Sequence, residues 1–337
     1  MKLATWHWHI EISSKCTLKC SRCAREEVPD TLVNTELKLD FFKKNFTPEF
    51  IQSDVEKITL CGDDGDPIYA NDLIDVIEYI KSVKPVKFVI VTNGSYKKAD
   101  WWKRLGTVLD KNDHIHFSLD GWDQLSNEQY RVNSNWESIM LGVKTLRQAS
   151  PVYMTWDCIV FKFNENMLDS MEQQAQQLGF DEFQITRSTK FNKVYSIYPE
   201  NDPLQPSESG ISDKYRFTRE LHNLSGRLPS TVGYETNVEL YNKSNTYKDI
   251  KPLCGIGNKG LFLNSQGHLF PCCWVANRYN HNNEWIELGN SFNLNKRALT
   301  DVLNDDFWKN QFENFHWSEC KAKCNIAVVD FDYSTEW

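Results

Sequence analysis

Apolar and polar positions alternate in a regular order along the first half of the chain. Short runs with a period of two residues, rich in β-branched and aromatic residues, predict strands. Longer runs, in which apolar residues recur every three or four positions, predict amphipathic helices. The strand segments are WHWHIEI, VEKITLCG, KFVIVTN, HIHFSLD, VYMTWDCIV and EFQITRS; the helical segments are TELKLDFFKKNF, NDLIDVIEYIKSV, ADWWKRLGTVL, NWESIMLGVKTLRQA and MLDSMEQQAQQLG.

The strands and helices follow one another in strict alternation. Strands joined by helix-length crossovers predict right-handed βαβ units and a parallel sheet. Because six units fall short of the eight that close a full barrel, we expect an α/β fold, a partial (β/α)6 open barrel over residues 1–190. In such folds the reactive groups lie on loops at the carboxyl ends of the strands.

The periodic pattern ends near residue 190, and two further regions follow. Residues 191–253 contain the Pro- and Ser-rich segment YPENDPLQPSESG, which predicts a linker on the substrate side of the barrel. Residues 254–337 begin with KGLFLNSQGHLFPCC, two short apolar runs around a turn that predict a hairpin. A helical segment, ALTDVLNDDFWKNQFENF, comes next. We therefore expect a small C-terminal domain.

Composition narrows the classes of function. A formal net charge of -8 argues against a surface built to grip a nucleic-acid backbone. No run approaches the roughly 18 apolar residues of a membrane span, and the start MKLATWHWHIE does not resemble a signal peptide. We therefore expect a cytoplasmic protein without a membrane partner. In that reducing compartment, clustered cysteines among the 10 present are more often metal ligands or catalytic groups than disulfides.

Three cysteines, Cys16, Cys20 and Cys23, follow the first strand with the spacing C-x3-C-x2-C. Three thiolates suit a 4Fe-4S cluster in which one iron has no protein ligand, and a substrate or cofactor can bind that open iron. The alternative is a zinc site, which would need a fourth ligand such as His7 or His9 from the preceding strand.

The segment CTLKCSRC resembles the signature of radical S-adenosylmethionine (SAM) enzymes. Further motifs similar to those of that family follow the next three strands in order: GDP, TNG and SLDG. The resemblance implies that SAM binds the open iron through its amino and carboxylate groups. It also assigns contacts with SAM to a set of positions after these strands: Gly65, Asp66, Pro67, Thr92, Asn93, Ser118, Asp120 and Arg131.

Two positions depart from the family pattern. Asp66 stands where related enzymes usually have Glu. Arg22 stands just before the third cysteine, where related enzymes have an aromatic residue that packs on the adenine of SAM. Because a guanidinium plane can stack on an adenine face, we expect Arg22 to contact SAM. The alternative is that Arg22 faces solvent or a carboxylate.

A second group of cysteines resembles the opening element of the SPASM and twitch domains, which bind auxiliary iron-sulfur clusters. Cys254 and Cys272 lie in the pattern C-x12-G-x4-C, and Cys320 and Cys324 follow one helix later. A full SPASM domain carries more cysteines, so the resemblance implies the twitch type, with one auxiliary 4Fe-4S cluster held by these four. Cys273 could replace Cys272 as a ligand, and a four-thiolate zinc site is the alternative.

The resemblance implies an enzyme in which an electron from the reduced cluster cleaves SAM, and the resulting 5'-deoxyadenosyl radical removes a hydrogen atom from the substrate. An auxiliary cluster that accepts an electron would make the reaction a net oxidation of a peptide or protein side chain. A flavodoxin or ferredoxin would serve as electron donor. The alternatives are the same chemistry on a small molecule, such as a sugar, nucleotide or cofactor precursor, and a zinc-stabilised or electron-transfer protein without SAM chemistry.

Polar residues at the ends of the later strands are candidates for the substrate side of the barrel: Tyr153, Asp157, Asn164, Arg187 and Lys190. Among them, Asp157 is the candidate catalytic base that takes a proton from the substrate during oxidation. The alternative is that Asp157 is a structural carboxylate.

Overall fold

The part of the chain that the structure describes folds around one sheet flanked by helices. The structure is a computed structural model, and it describes residues 5–27, 32–187, 202–207, 260–276, 287 and 289–306. Within these ranges, none of the helices combines the length and the apolar character that a membrane crossing requires.

The strands, numbered along the chain, are β1 (His7–Ile10), β2 (Lys57–Leu60), β3 (Lys87–Thr92), β4 (His114–Ser118), β5 (Tyr153–Val160), β6 (Glu182–Arg187), β7 (Leu261–Leu263) and β8 (Leu269–Phe270). The helices are α1 (Ala24–Glu27), α2 (Leu39–Asn45), α3 (Pro48–Asp54), α4 (Leu73–Val83), α5 (Ala99–Val108), α6 (Gln124–Asn127), α7 (Trp136–Ala149), α8 (Leu168–Gln177), α9 (Cys273–Ala276) and α10 (Leu299–Leu303). One 3-10 helix, Pro67–Tyr69, follows β2.

The six strands predicted from the pattern form one parallel array. The sheet order is β6-β5-β4-β3-β2-β1-β7-β8, and only the β7–β8 pair is antiparallel. At least one helix lies between each successive pair of strands from β1 to β6, so the carboxyl ends of all six strands lie at the same edge. This confirms the predicted α/β fold with a partial barrel.

Local signals explain where most helices begin and end. The Asn135 side chain accepts a hydrogen bond from the Ser138 amide at 2.8 Å and so caps α7. Gly179, just after α8, has φ +83°, a left-handed conformation that favours glycine. The segment TELKLDFFKKNF, residues 35–46, predicted one helix, and α2 occupies its second half; a separate helix that was not predicted, α3, follows it. Thr47 caps α3, and Pro48 has no amide hydrogen with which to continue α2.

Helices cover one face of the sheet and bury its aromatic residues. Trp8 of β1 packs edge-on against Phe46, with ring centroids 5.0 Å apart. Phe117 of β4 lies 5.5 Å from Trp102 of α5, and Trp156 of β5 is fully buried on the same side. These contacts hold the strands at fixed positions, so the loops at their carboxyl ends start from a rigid base.

The opposite, concave face of the sheet is polar. Side chains alternate along a strand, so the residues between those that face the helices point to the concave side. On β4 these are His114 and His116, and on β5 they are Thr155 and Asp157. His116 and Thr155 are buried, His114 is half-buried, and the Asp157 side chain is 24% exposed. The interior of the partial barrel therefore contains hydrogen-bonding groups rather than an aliphatic core.

The predicted hairpin is present as β7 and β8, and it continues the barrel sheet. β7 pairs with β1 in parallel, with Trp8 opposite Leu261 and Ile10 opposite Leu263. Gly267 in the hairpin turn has φ +84°, which an L side chain rarely adopts. The expected domain boundaries near residues 190 and 253 lie outside the described residues. The predicted helical segment ALTDVLNDDFWKNQFENF is described only as far as residue 306, and α10 lies in that part.

Helix α7 allows a direct test of which face is buried. Leu146 is fully buried and Leu141 is 43% exposed, on the same helix. We expect Leu146→Ala to lower the free energy of unfolding by about 2–5 kcal/mol, because it leaves a cavity under the sheet. Leu141→Ala, the matched control, should change it by less than about 0.5 kcal/mol. Chemical denaturation measures both values, and equal losses would contradict the assigned packing.

Candidate metal and cofactor site

The loop after β1 brings Cys16, Cys20 and Cys23 to the carboxyl edge of the sheet. They pack in one small apolar cluster with Tyr130 and Phe161. Burial, followed by the charge of a nearby carboxylate, raises the pKa of Cys16 to about 12; burial is also the main cause that raises the pKa of Cys20 to about 11. Thiols buried in this way become thiolates when a metal takes the place of the proton.

The histidines considered as additional zinc ligands are engaged elsewhere. His7 Nε2 is 3.0 Å from Thr59 Oγ1, and His9 Nε2 is 2.8 Å from the Cys61 carbonyl oxygen. Both rings are therefore bound to β2 and the residue after it. Within the described ranges, no three His, Cys, Asp or Glu side chains converge as they would around one metal ion. Neither His7 nor His9 is therefore placed to complete a zinc site with the three cysteines.

The loop after β2 packs tightly against the cysteine loop. A Cβ atom on Gly65 would lie 2.1 Å from the Ser13 carbonyl oxygen, so only glycine fits at this position. The Asp66 amide donates to the Lys15 carbonyl at 3.0 Å. Pro67 then starts the 3-10 helix. The GDP segment thus places its backbone directly beside the cysteine loop.

Two charged residues, the buried Glu11 and the half-buried Arg25, connect these two loops. Glu11 Oε1 accepts hydrogen bonds from the amides of Asp64, at 2.6 Å, and Gly65, at 3.2 Å. Arg25 donates through Nη1 to the Ser14 carbonyl at 2.5 Å and to the Asp64 carbonyl. Burial raises the pKa of Glu11 well above its ordinary value. Sequence reasoning did not single out either residue.

The Asp66 carboxylate connects the GDP and TNG segments. Oδ1 accepts from Thr92 Oγ1 at 2.8 Å and from the Ile68 amide at 3.1 Å. Oδ2 accepts from the amide and the side chain of Asn93, at 2.6 and 2.5 Å. Burial raises the pKa of Asp66 to about 6, although these hydrogen bonds oppose the shift. Asn93 Nδ2 also lies 3.7 Å from Cys16 Sγ.

The loop after β4 holds a buried ion pair. Arg131 Nε donates to Asp120 Oδ2 at 2.6 Å, and the Ile159 amide donates to Asp120 Oδ1 at 2.6 Å. The positive charge of Arg131 lowers the pKa of Cys20, against the larger effect of burial. Ser118, the last residue of β4, lies opposite Asp157. The structure therefore brings Asp120 and Arg131 next to the cysteine loop.

Arg22 contacts a carboxylate. Its Nη2 forms a salt bridge with Asp202, and both side chains are largely buried. Leu204 of the same short segment packs on the cysteine cluster. Sequence reasoning missed Asp202, which lies within the Pro-rich segment assigned to a linker. The carboxylate considered as an alternative partner for Arg22 is therefore present.

A histidine–carboxylate pair occupies the concave face. His116 Nδ1 is 2.8 Å from Asp157 Oδ2, and the His114 ring lies 3.9 Å from the His116 ring, centroid to centroid. His116 Nε2 is buried and has no hydrogen-bond partner among the described residues. His114 Nε2, in contrast, is 2.6 Å from Thr155 Oγ1. Sequence reasoning selected Asp157 but missed His116, although HIHF on a strand places both histidines on one face.

The other candidates for the substrate side fall into different environments. Tyr153 is exposed and packs edge-on against His114. Asn164 is fully buried and donates to the carbonyls of Asp120 and Ile159, at 2.8 and 2.9 Å, so it stabilises these loops. Arg187 ends β6. Lys190 lies outside the described residues.

Only part of the second cysteine group lies in the described part of the chain. Cys272 follows β8 and is half-buried, while Cys254, Cys320 and Cys324 lie outside the described residues.

Cys61, just after β2, lies close to the end of the hairpin. Burial is the main cause that raises the pKa of Cys61, and the charges of Asp63 and Cys273 add to it. Because Cys273 follows β8, this effect on Cys61 indicates that the end of the hairpin lies near the end of β2.

Comparison with known proteins identifies the first part of the chain. Residues 10–173, just under half of the chain, match the sequence model of the Radical SAM superfamily. This radical SAM segment runs from β1 into α8 and contains every described residue of the first cysteine site except Asp202 and Leu204.

Two relatives of this chain differ in the function that their names state. It is 22% identical over 338 residues to the antilisterial bacteriocin subtilosin biosynthesis protein AlbA of Bacillus subtilis, which covers 95% of this chain. The chain spans 65% of the length of AlbA. It is 27% identical over 250 residues to a probable GTP 3',8-cyclase of Methanococcus maripaludis, covering 70% of this chain and 78% of that protein.

Solved structures show the same fold. The crystal structure of Streptococcus suis SuiB bound to S-adenosylmethionine superposes with a TM-score of 0.58 and 15% identity, covering 95% of this chain and 70% of SuiB. SuiB has also been solved bound to its precursor peptide SuiA.

Replacing Cys16, Cys20 and Cys23 together with Ala tests the metal site. We expect loss of the first cluster, about four irons per chain, and loss of 5'-deoxyadenosine formation from SAM after anaerobic reduction. An auxiliary cluster would retain about four further irons. Cys158→Ala, which removes a fully buried cysteine remote from this loop in sequence, is the matched control and should keep both properties. SAM cleavage by the triple variant would refute the assignment.

Proposed function

We propose that the chain oxidatively modifies a side chain of a peptide or protein, with SAM as the source of the radical. The observation that carries this proposal is the His116–Asp157 pair on the concave face, with a buried Nε2 that has no partner among the described residues. An oxidation that removes two hydrogens from a substrate must deliver one of them as a proton, and this pair is suited to accept it.

The residues after β1 to β4 fit a cluster and SAM. Cys16, Cys20 and Cys23 would hold three irons of a 4Fe-4S cluster and leave the fourth for SAM. When bound, such a cluster would supply the electron that cleaves SAM to a 5'-deoxyadenosyl radical. The residues of these loops would hold SAM in place and exclude water from the radical.

We assign contacts with SAM to protein groups whose hydrogen-bonding atoms are not already used by other residues of the chain. Arg131 uses Nε for Asp120, and no other hydrogen bond of this guanidinium forms within the described residues, so its terminal nitrogens suit the SAM carboxylate. Asp66 has all its side-chain bonds within the protein, so its segment would meet the SAM amino group through the backbone. The remaining proposed SAM contacts are Arg22, Gly65, Pro67, Thr92, Asn93, Ser118 and Asp120.

The proton acceptor is assigned to His116 rather than to Asp157 itself. A carboxylate accepts hydrogen bonds, so Asp157 Oδ2 stabilises the tautomer of His116 with hydrogen on Nδ1. That tautomer leaves a lone pair on Nε2. The substrate would lose a hydrogen atom to the deoxyadenosyl radical, a proton to His116 Nε2 and an electron to the auxiliary cluster. Asp157 then positions the ring and stabilises its charged form.

The electron acceptor would be a twitch-type auxiliary 4Fe-4S cluster held by Cys254, Cys272, Cys320 and Cys324 in a C-terminal domain over residues 254–337. Residues 1–190 would form the barrel and residues 191–253 the substrate-side segment. A flavodoxin or ferredoxin would supply electrons, and the reducing conditions that such clusters need favour the cytoplasm.

The class of substrate rests on the comparisons. AlbA takes part in bacteriocin biosynthesis and SuiB binds a precursor peptide, which favours a peptide. The match to a probable GTP 3',8-cyclase over 70% of this chain favours a nucleotide as the second candidate.

A direct assay separates the two substrate classes. The reconstituted protein would be incubated anaerobically with SAM and dithionite, together with either GTP or synthetic peptides encoded by open reading frames next to its gene. We expect a peptide to stimulate 5'-deoxyadenosine formation and to lose about 2 Da by mass spectrometry, the mass of two hydrogens. Conversion of GTP, with every peptide unchanged, would contradict the peptide proposal.

Substitution of His116 tests the proton acceptor. With the peptide that is modified in that assay, His116→Gln should lower product formation by about 100-fold or more, because general-base catalysis is lost. Formation of 5'-deoxyadenosine should continue, since hydrogen abstraction precedes proton loss. The matched control is His114→Gln, which alters the neighbouring ring on the same face. Equal losses in both variants, or an unchanged rate in His116→Gln, would argue against the assignment.

A further inference from the structure

The Asn93 side chain has only one orientation that satisfies its neighbours. Its Oδ1 accepts a hydrogen bond from the Ser95 amide at 2.9 Å, so the oxygen must lie on that side. Its Nδ2 lies 2.5 Å from Asp66 Oδ2, where only a donor is favourable. The two neighbours therefore fix which end of the amide carries the hydrogens, and Asn93 is buried.

The second hydrogen of this NH2 group points to a cluster ligand. Asn93 Nδ2 is 3.7 Å from Cys16 Sγ, within the range of hydrogen bonds to sulfur. The Leu18 amide also donates to Cys16 Sγ, at 3.4 Å. Cys16 thus accepts one bond from its own loop and one from the loop after β3. The second bond depends on a side chain and can be removed by substitution.

Hydrogen bonds to ligand sulfurs change the reduction potential of iron-sulfur clusters. Adding an electron makes the cluster and its thiolates more negative, so a donor aimed at sulfur stabilises the reduced form more than the oxidised form. Residues outside the ligand set that orient or hydrogen-bond a ligand commonly alter the properties of the metal they surround. A donor held as firmly as Asn93 would act in this way before SAM is bound.

We infer that Asn93 is a positioning residue that raises the reduction potential of the SAM-binding cluster through a hydrogen bond to Cys16, with Asp66 as the anchor that aims it. This inference rests on a cluster at Cys16 and is independent of which substrate the enzyme modifies. It also gives Asp66 a role of its own, because its carboxylate binds both the amide and the side chain of Asn93.

The aspartate at position 66 suits this anchoring role. It accepts from three residues, Ile68, Thr92 and Asn93, and each carboxylate oxygen has two donors. One more methylene in the side chain would move the carboxylate relative to the TNG segment, whose backbone is fixed by β3. The short side chain therefore matches the distance from the GDP loop to Asn93.

The test is a redox titration of the reconstituted full-length protein, followed by electron paramagnetic resonance without SAM. The signal of the SAM-binding cluster is identified by its change when SAM is added. We expect Asn93→Ala to reduce the equilibrium constant for cluster reduction about tenfold, which for one electron is a shift of about 59 mV to a more negative potential. Asn93→Asp, of the same shape but without a donor, should give a shift of the same sign.

Thr92→Val is the matched control. It removes a hydrogen bond to the same carboxylate but has no contact with Cys16, so its equilibrium constant should change by less than about threefold. The SAM dissociation constant of each variant, together with iron content and circular dichroism, separates a redox effect from lost SAM binding or misfolding.

Four results would overturn the inference. One is an unchanged potential in a folded, iron-loaded Asn93→Ala protein. Another is an equal shift in Thr92→Val, which would indicate a general disturbance of the loops. A third is weaker SAM binding without any change in potential, which would make Asn93 a SAM ligand only. The last is a wild-type protein that binds no iron at Cys16. None of these measurements depends on a substrate. The first three results would overturn the inference and leave the proposed peptide oxidation standing, whereas the last would overturn both.

Discussion

Parallel pairing of the first six strands is the constraint on which the rest of the structure depends. Because β1 to β4 run in the same direction, the loops that follow them emerge at one edge of the sheet. Residues far apart in the sequence become neighbours there: Cys16, Asp66 and Asn93 come from three loops and meet in one hydrogen-bonded group. The aromatic layer on the helix side keeps these loops at fixed separations.

That edge is held together by buried charges, each of which has a defined partner. Asp120 pairs with Arg131, and Glu11 accepts from two backbone amides of the GDP loop. A buried charge without partners would destabilise the fold strongly. With partners it gives the loops one geometry, because the hydrogen bonds are directional. A site that must hold both a cluster and SAM needs such rigidity before either is bound.

Much of this arrangement could be predicted from the sequence. The alternation of periods gave the six parallel strands, and the order of motifs after them gave the cysteine loop with Asp66, Asn93 and Asp120. Contacts between distant segments could not be predicted. Arg22 and Asp202 are separated by 180 positions, with no pattern linking them. His116 meets Asp157 only because of the register between β4 and β5, and the pairing of β7 with β1 depends on which strand has a free edge.

Hydrogen-bond saturation separates residues that shape the site from residues that can act in it. Asp66 has two protein donors on each carboxylate oxygen, so its contribution to ligand binding passes through its backbone. Asp120 has one donor on each oxygen and orients Arg131. Arg131 donates through Nε to Asp120, and its terminal nitrogens can still donate to an anion beside Cys20. His116 Nδ1 is bound to Asp157, and Nε2 has no hydrogen-bond partner among the described residues. In both pairs a carboxylate orients a nitrogen-containing side chain, and it is the nitrogen side chain that retains a group for chemistry. We therefore propose that Asp120 and Asp157 act as supports and that Arg131 and His116 are the residues that face the ligand.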